Sequence, residues 1–303
     1  MPISFYCPHC GAQTQVMDQF AGHSGPCKQC GQTITIPSGT AGSVAVASPQ
    51  QRKKSSSKGV LIAVILAVAL LCLVCVLPIA LALILPAVQA SRESARQMSC
   101  GNNMREIAMA MKSYEAQHGH LPPAYVTDED GNLMHSWRVL LLPHLDQQDL
   151  YDAYNLDEPW NSPANRRLAD RMPEVYTCPS SVFGAEEGYT SYAVVVGPET
   201  LFDGGEGVSL DDVPDGMSNT ILLVEAEEKW IEWMDPSDID FEDLTDDENG
   251  WDTFGLEIRS SHRAGVNVAY ADGRVNFLRM GVVTGKELRA LLTRSGGEAV
   301  MAP

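Results

Sequence analysis

The chain has 303 residues, 45% of them hydrophobic, and a formal net charge of −18. The charge is uneven: residues 1–58 carry five bases and one acid, residues 60–88 carry neither, and residues 89–303 carry 16 bases against 38 acids. So acidic a body repels phosphate backbones, which argues against nucleic-acid binding by the large domain, and about 215 residues suffice for one sizeable core.

Residues 1–37 hold two CxxCG knuckles, Cys7–Cys10 and Cys27–Cys30, separated by sixteen residues. The glycine after each second cysteine lets the backbone turn tightly, so that amides face the sulfurs. Four thiolates fill a tetrahedral shell and leave no open position, the pattern of structural zinc. His9 and His23 are then expected to be exposed rather than ligands. Short strands at residues 4–6 and 33–36 complete the outline of a zinc ribbon. Lys28 and Asp18 balance each other, which favours a protein partner over a nucleic acid for this module.

Residues 38–59 are small and polar and read as a flexible linker. Residues 60–88, VLIAVILAVALLCLVCVLPIALALILPAV, form an apolar run of 29 residues whose only polar side chains are Cys72 and Cys75. Roughly 20 apolar residues cross a bilayer core as a helix, so this run reads as one transmembrane helix. It lies too far into the chain and is too long for a cleaved signal, and is expected to be a permanent anchor. Arg52, Lys53, Lys54 and Lys58 precede it, whereas Arg92 and Arg96 follow with Glu93 between them. The positive-inside rule then places the N-terminus in the cytoplasm and exports the body across the cytoplasmic membrane. Cys100 and Cys178 fall in the exported part, where one pair in an oxidising compartment suggests a disulfide.

Beyond the membrane the helical pattern continues. Met104, Ile107, Ala108, Met111 and Tyr114 form one apolar stripe, with a capped restart expected near Gly101 and an end at Gly119 and Pro122–Pro123. Pro78 and Pro86 are expected to kink the rod. Residues 137–142 read as a short buried segment, and residues 146–154 and 162–172 as short helices, the second capped by Ser162 with Pro163 at its first position. Strands follow at 190–196, 220–225, 265–271 and 274–278. The last two meet at Asp272-Gly273, a strong hairpin signal. Residues 284–292 read as a short amphipathic helix.

Between Asp203 and Glu257 lie nineteen acids and one base, Lys229. Clustered carboxylates suit hard cations, so calcium is a weak second cofactor candidate. The run DIDFEDLTDDENG lacks the EF-hand order and reads more simply as a solvated acidic loop. Trp230, Trp233 and Trp251 among these acids outline a candidate glycan face. His262 and Asp272 can be imagined as an acid–base pair, but Asp272 makes the turn and His262 precedes the strand, where it can bond across the hairpin. No nucleophile–base order and no phosphate-binding glycine loop appears, so no enzyme activity is expected.

Four blocks in order carry a family resemblance: LPAVQASRESARQMSCGNNMREIAMAMKSYEAQHGHLPPAY, SWRVLLLPHLDQQDLYDAYNLDEPWNSPANRRLADRMPEVYTCPS, DGMSNTILLVE and HRAGVNVAYADGRVNFL. They resemble the bacterial family of unknown function, expanded in planctomycete-type genomes, that has prepilin-like N-termini and an H-x(9)-D-G motif, here His262, Asp272 and Gly273. The resemblance spans about residues 84–280. It implies an α+β, pilin-like architecture in which a long N-terminal helix packs on an antiparallel sheet. It also implies cysteines at the positions of Cys100 and Cys178. This chain departs from the family at its start. Where relatives carry a short leader, a cleavage site and a Glu at the fifth mature position, Gly59 is followed five residues later by Val64. That absence argues against processing and polymerisation. The expected whole is a zinc ribbon (1–37), a linker (38–59), a transmembrane helix (60–88) and a pseudopilin-like exported domain (89–303). It reads as a structural or interaction protein of the envelope whose ribbon docks a protein partner. The alternative is an exported solute- or glycan-binding domain.

Overall fold

The computed structural model describes residues 2–38, 57–244, 258–262, 264–279 and 281–297. Most of the predicted linker, and Trp251 with the acids around it, lies outside the described residues. Two compact units divide the chain at residues 71 and 72.

In the first unit, β1 (Pro2–Tyr6) pairs antiparallel with β2 (Gln13–Met17), and β3 (Ser24–Pro26) with β4 (Thr33–Thr35). Each hairpin carries one knuckle, and the two knuckles repeat one geometry. Gly11 and Gly31 have φ of 74° and 76°, a left-handed turn that glycine adopts without penalty. Each donates its N–H to the carbonyl of the first cysteine of its knuckle, Cys7 or Cys27, at 2.8 Å. Cys7, Cys27 and Ile34 are the buried residues here, with Phe5 and Cys30 packed against them. So small a core does not hold a fold without a further cross-link.

Helix α1 (Ser57–His118) runs for 62 residues through Pro78, Pro86 and Gly101. The expected restart near Gly101 is absent: the helix runs through Gly101, where an added Cβ would make only ordinary contact with Val275, at 3.5 Å. The helix changes environment along its length. Its large apolar residues from Val60 to Val88 are exposed, whereas Cys100, Met104, Ile107, Ala108 and Met111 are all 0% exposed. A helix of 29 residues rises about 44 Å, more than a hydrocarbon core of about 30 Å requires. By length and composition this is a helix able to span a membrane, and it lies inside the chain.

The body is α+β. After the hairpin β5 (Tyr125–Thr127) and β6 (Leu133–Ser136), short helices α2 (Trp137–Leu140) and α3 (Gln148–Ala153) follow. The segment predicted as a second helix is a 3-10 turn, Asn165–Arg171, and Ser162 Oγ accepts from Asn165 N at 3.2 Å. The strand predicted over 190–196 is three two-residue pieces, β7 (Tyr189–Thr190), β8 (Tyr192–Ala193) and β9 (Val195–Val196). Each turns to a different partner. β8 joins β10 (Ile221–Glu225), β7 joins β11 (Ile231–Glu232), and β9 pairs parallel with β12 (Ile239–Asp240). The hairpin of β13 (Gly265–Tyr270) and β14 (Val275–Arg279) turns at Asp272-Gly273, with Gly273 at φ 92°. Asp272 Oδ1 accepts from Arg274 N at 2.8 Å and fixes the turn.

The main sheet has the order β14-β13-β10-β8, and its strand pairs are antiparallel. Alternation along β13 sends Val266, Val268 and Tyr270 to one face, where α4 (Gly285–Leu292) covers them with Leu288, Leu291 and Leu292. Ala269 faces the opposite core, which contains the α1 stripe. A register shift between Ile221 and Leu223 goes with two consecutive residues, Leu222 and Leu223, in one core, while Ile221 and Val224 lie in the other. Helix α4 begins with a capping box, Thr284 with Glu287.

Candidate functional site

Two clusters of ligand-type side chains stand out among the described residues, one in each unit. In the first, the sulfurs of Cys7, Cys10, Cys27 and Cys30 lie within 4.8 Å of one another. Cys7–Cys30 and Cys10–Cys27 are both 3.8 Å apart. A tetrahedron with metal–sulfur bonds of ~2.3 Å has edges of about 3.8 Å, so the spacing fits a four-thiolate metal centre. Backbone N–H groups of Cys30 and Gln29 hold the Cys27 thiol down at about 6. For Cys10 the Ala12 N–H favours the thiolate, but desolvation and the three neighbouring sulfurs prevail and push it up to about 12. A cation among the sulfurs removes that conflict. His9 and His23 are exposed.

The second cluster is buried in the body. Cys100 and Cys178 are joined as a disulfide with Cα atoms 5.0 Å apart. Glu225, the last residue of β10, aims Oε1 at Cys100 Sγ, 2.8 Å away. His262 places Nε2 3.6 Å from Cys178 Sγ and 3.9 Å from Glu225 Oε1. All four residues are at most 3% exposed. A second layer orients them. His262 Nδ1 meets Glu93 Oε1 at 2.6 Å, and the backbone and side-chain N–H groups of Asn267 donate to Glu225 at 2.7 and 2.9 Å. Tyr192 Oη lies 3.2 Å from Cys100 Sγ. Burial pushes the Glu225 carboxyl up, with Asn267 pulling the other way. For Glu93 burial acts upward too, but His262 and Arg96 outweigh it and hold the carboxyl below its ordinary range.

The structure revises the sequence reading of the motif residues. Among the described residues the His262 side chain meets the hairpin as a ring contact with Phe277 of β14, centroids 6.4 Å apart; its Nδ1 meets Glu93 from α1 and its Nε2 faces Cys178. Asp272 stays in the turn, and its carbonyl accepts from Lys112 of α1 at 3.2 Å.

A third group lies beside β8. Arg138 and Asp238 are an ion pair with both side chains at 0% exposure. Arg138 Nη2 donates to Asp238 Oδ1 at 2.8 Å and to the Tyr192 carbonyl at 2.9 Å. Trp137 Nε1 and Val194 N also donate to Asp238, at 3.0 and 2.9 Å. Burial pushes Asp238 up to about 6, with Arg138 and the Val194 N–H opposing. The reading of DIDFEDLTDDENG as a solvated loop is therefore corrected at its first residue, which is core. Among the described residues the acidic stretch assembles no calcium-type cluster.

The candidate glycan face does not form as expected. Trp230 is 63% exposed, but Trp233 is 0% exposed and donates Nε1 to the Ala169 carbonyl at 3.1 Å. Trp251 lies outside the described residues. Sequence reasoning also passed over Glu93, Arg138, Glu225 and Asp238. The available signals were small: a lone charge inside the apolar run SWRVLLL, and an acid closing the apolar strand ILLVE.

Residues 89–238 match the model of a family described as a protein of unknown function (DUF1559). The match includes Glu93, Cys100, Arg138, Cys178, Glu225 and Asp238. No curated protein and no solved structure matches the chain.

Proposed function

We propose that the chain is a membrane-anchored, pilin-like structural or interaction protein of the cell envelope, with no catalytic role. The carrying observation is α1, whose apolar first half is exposed and whose second half is the core of the body. A single unbroken helix of this kind couples the body mechanically to a bilayer. The body's helix-on-sheet arrangement supports the pilin-like reading, as does the order of the four sequence blocks.

The flanking bases support a cytoplasmic N-terminus. The body side offers Arg92 and Arg96, and Arg96 is already paired with Glu93. The linker side offers Arg52, Lys53, Lys54 and Lys58. On this reading the four-cysteine module is a zinc ribbon on the cytoplasmic face that docks a protein partner, and the body meets envelope components outside.

Site-directed photo-crosslinking in native membranes tests the interaction role. Probes replace Val182 and Met109, which are 83% and 62% exposed. Discrete adducts above the chain's own mass, differing between the two positions, are expected. A chain that stays at its own mass from both positions contradicts the reading.

A further inference from the structure

We infer that Cys100, Cys178, Glu225 and His262 form a second metal site, in which the reduced cysteine pair takes a divalent cation of the zinc class. The four ligand atoms lie within 4.8 Å of one another and all four residues are buried. Two sulfurs, one imidazole nitrogen and one carboxylate oxygen are a complete tetrahedral donor set. A disulfide that only braces the fold requires neither the glutamate nor the histidine that converge on it here.

The contacts within the cluster carry the argument. Glu225 Oε1 lies 2.8 Å from Cys100 Sγ. A disulfide sulfur has no hydrogen to donate, so an ionised Glu225 facing the oxidised pair brings lone pairs together with neither a proton nor a cation between them. A thiol relieves it by donating its proton, and a metal ion relieves it by binding both atoms. His262 is oriented as a metal-ligating histidine is: Nε2 faces the cluster, and Nδ1 meets the Glu93 carboxylate at 2.6 Å. A carboxylate behind the imidazole fixes the tautomer that leaves Nε2 unprotonated. Asn267 holds Glu225 from two sides, its backbone N–H donating to Oε2 and its side-chain N–H donating to the cluster-facing Oε1. With two thiolates and one carboxylate the donor set carries three negative charges, and burying these without a cation is costly.

The disulfide and the metal are alternative states. An external dithiol reduces the pair: the Cys100–Cys178 bond breaks, the two electrons and two protons of the dithiol pass to the protein sulfurs, and the dithiol leaves as its own disulfide. The cation then binds as the two thiol protons leave to solvent. Thr177 and Pro179, on either side of Cys178, line an open groove of about 650 Å³. The redox state of the compartment therefore selects between a covalent brace and a metal brace at the junction of α1, β10 and the β13 hairpin.

The test uses the full chain in detergent with Cys7, Cys10, Cys27 and Cys30 replaced by Ser, so that the ribbon contributes neither thiols nor metal. One sample is prepared anaerobically from a reducing cytoplasm with added zinc, and another is oxidised. Thiols are counted after denaturation, and metal is measured on the native protein. The expected result is four thiols and one zinc per chain in the reduced sample, against two thiols (Cys72 and Cys75) and no zinc in the oxidised one. Cobalt should give the absorption of a tetrahedral site in the reduced sample, and His262→Gln should abolish it. Four thiols with no bound metal overturns the inference, as does metal retained at equal content after oxidation.

Discussion

Asp238→Ala should destabilise the body by about 3–5 kcal/mol, the usual result of removing one partner from a buried ion pair. The Arg138 guanidinium would remain at 0% exposure with no opposite charge beside it. Two other donors would lose their acceptor, because Trp137 Nε1 and Val194 N donate to the same carboxylate. For a domain of this size each kcal/mol shifts Tm by about 2–4 °C, so a fall on the order of 10 °C is expected in near-ultraviolet circular dichroism of the full chain in detergent. Exchanging both partners for apolar residues, Arg138→Met with Asp238→Leu, should recover part of the loss, because no charge is then stranded. A single variant that melts within about 2 °C of the parent would show that the pair does not organise this part of the body.

Metal removal from the four-cysteine module should have the larger local effect, complete loss of its strands. The module buries Cys7, Cys27 and Ile34 and little else. Structural zinc contributes about 10–16 kcal/mol to apparent folding in comparable small modules, far more than so few buried side chains supply. Its removal also leaves four sulfurs crowded within 4.8 Å. A chelator, or Cys27→Ser, should therefore abolish amide-exchange protection across β1 to β4 while leaving the melting of the body unchanged. The bound metal should measure about one zinc per chain in oxidised protein. Protected strands in metal-free protein would contradict this account of the module.

What the sequence made legible was local. The cysteine spacing singled out the first cluster because all its ligands lie within 24 residues in two repeated turns. The stripe from Met104 to Met111 marked the buried face of α1 through its period, Asp272-Gly273 marked the hairpin, and Thr284 marked the start of α4. The buried polar groups were not legible in the same way. Arg138 and Asp238 are 100 residues apart, and Glu93 and His262 are 169 apart. No periodicity reports such a contact, and an acid inside an acidic stretch reads as solvated. The broken strand at 189–196 failed for a related reason. Its β-prone residues signal extended chain, but which strand each piece joins depends on β10, β11 and β12, all distant in sequence.

The central claim is that one helix is both anchor and core, with the body outside the cell membrane and the four-cysteine module within. Thiol labelling in intact cells tests it most directly, with a membrane-impermeant reagent and two single replacements, Val182→Cys in the body and Met17→Cys in the module. These positions are 83% and 65% exposed, so folding does not hide them. Labelling above the parent chain at Val182→Cys in intact cells, and at Met17→Cys only after permeabilisation, is the predicted pattern. The reverse pattern, or labelling of both in intact cells, would contradict it.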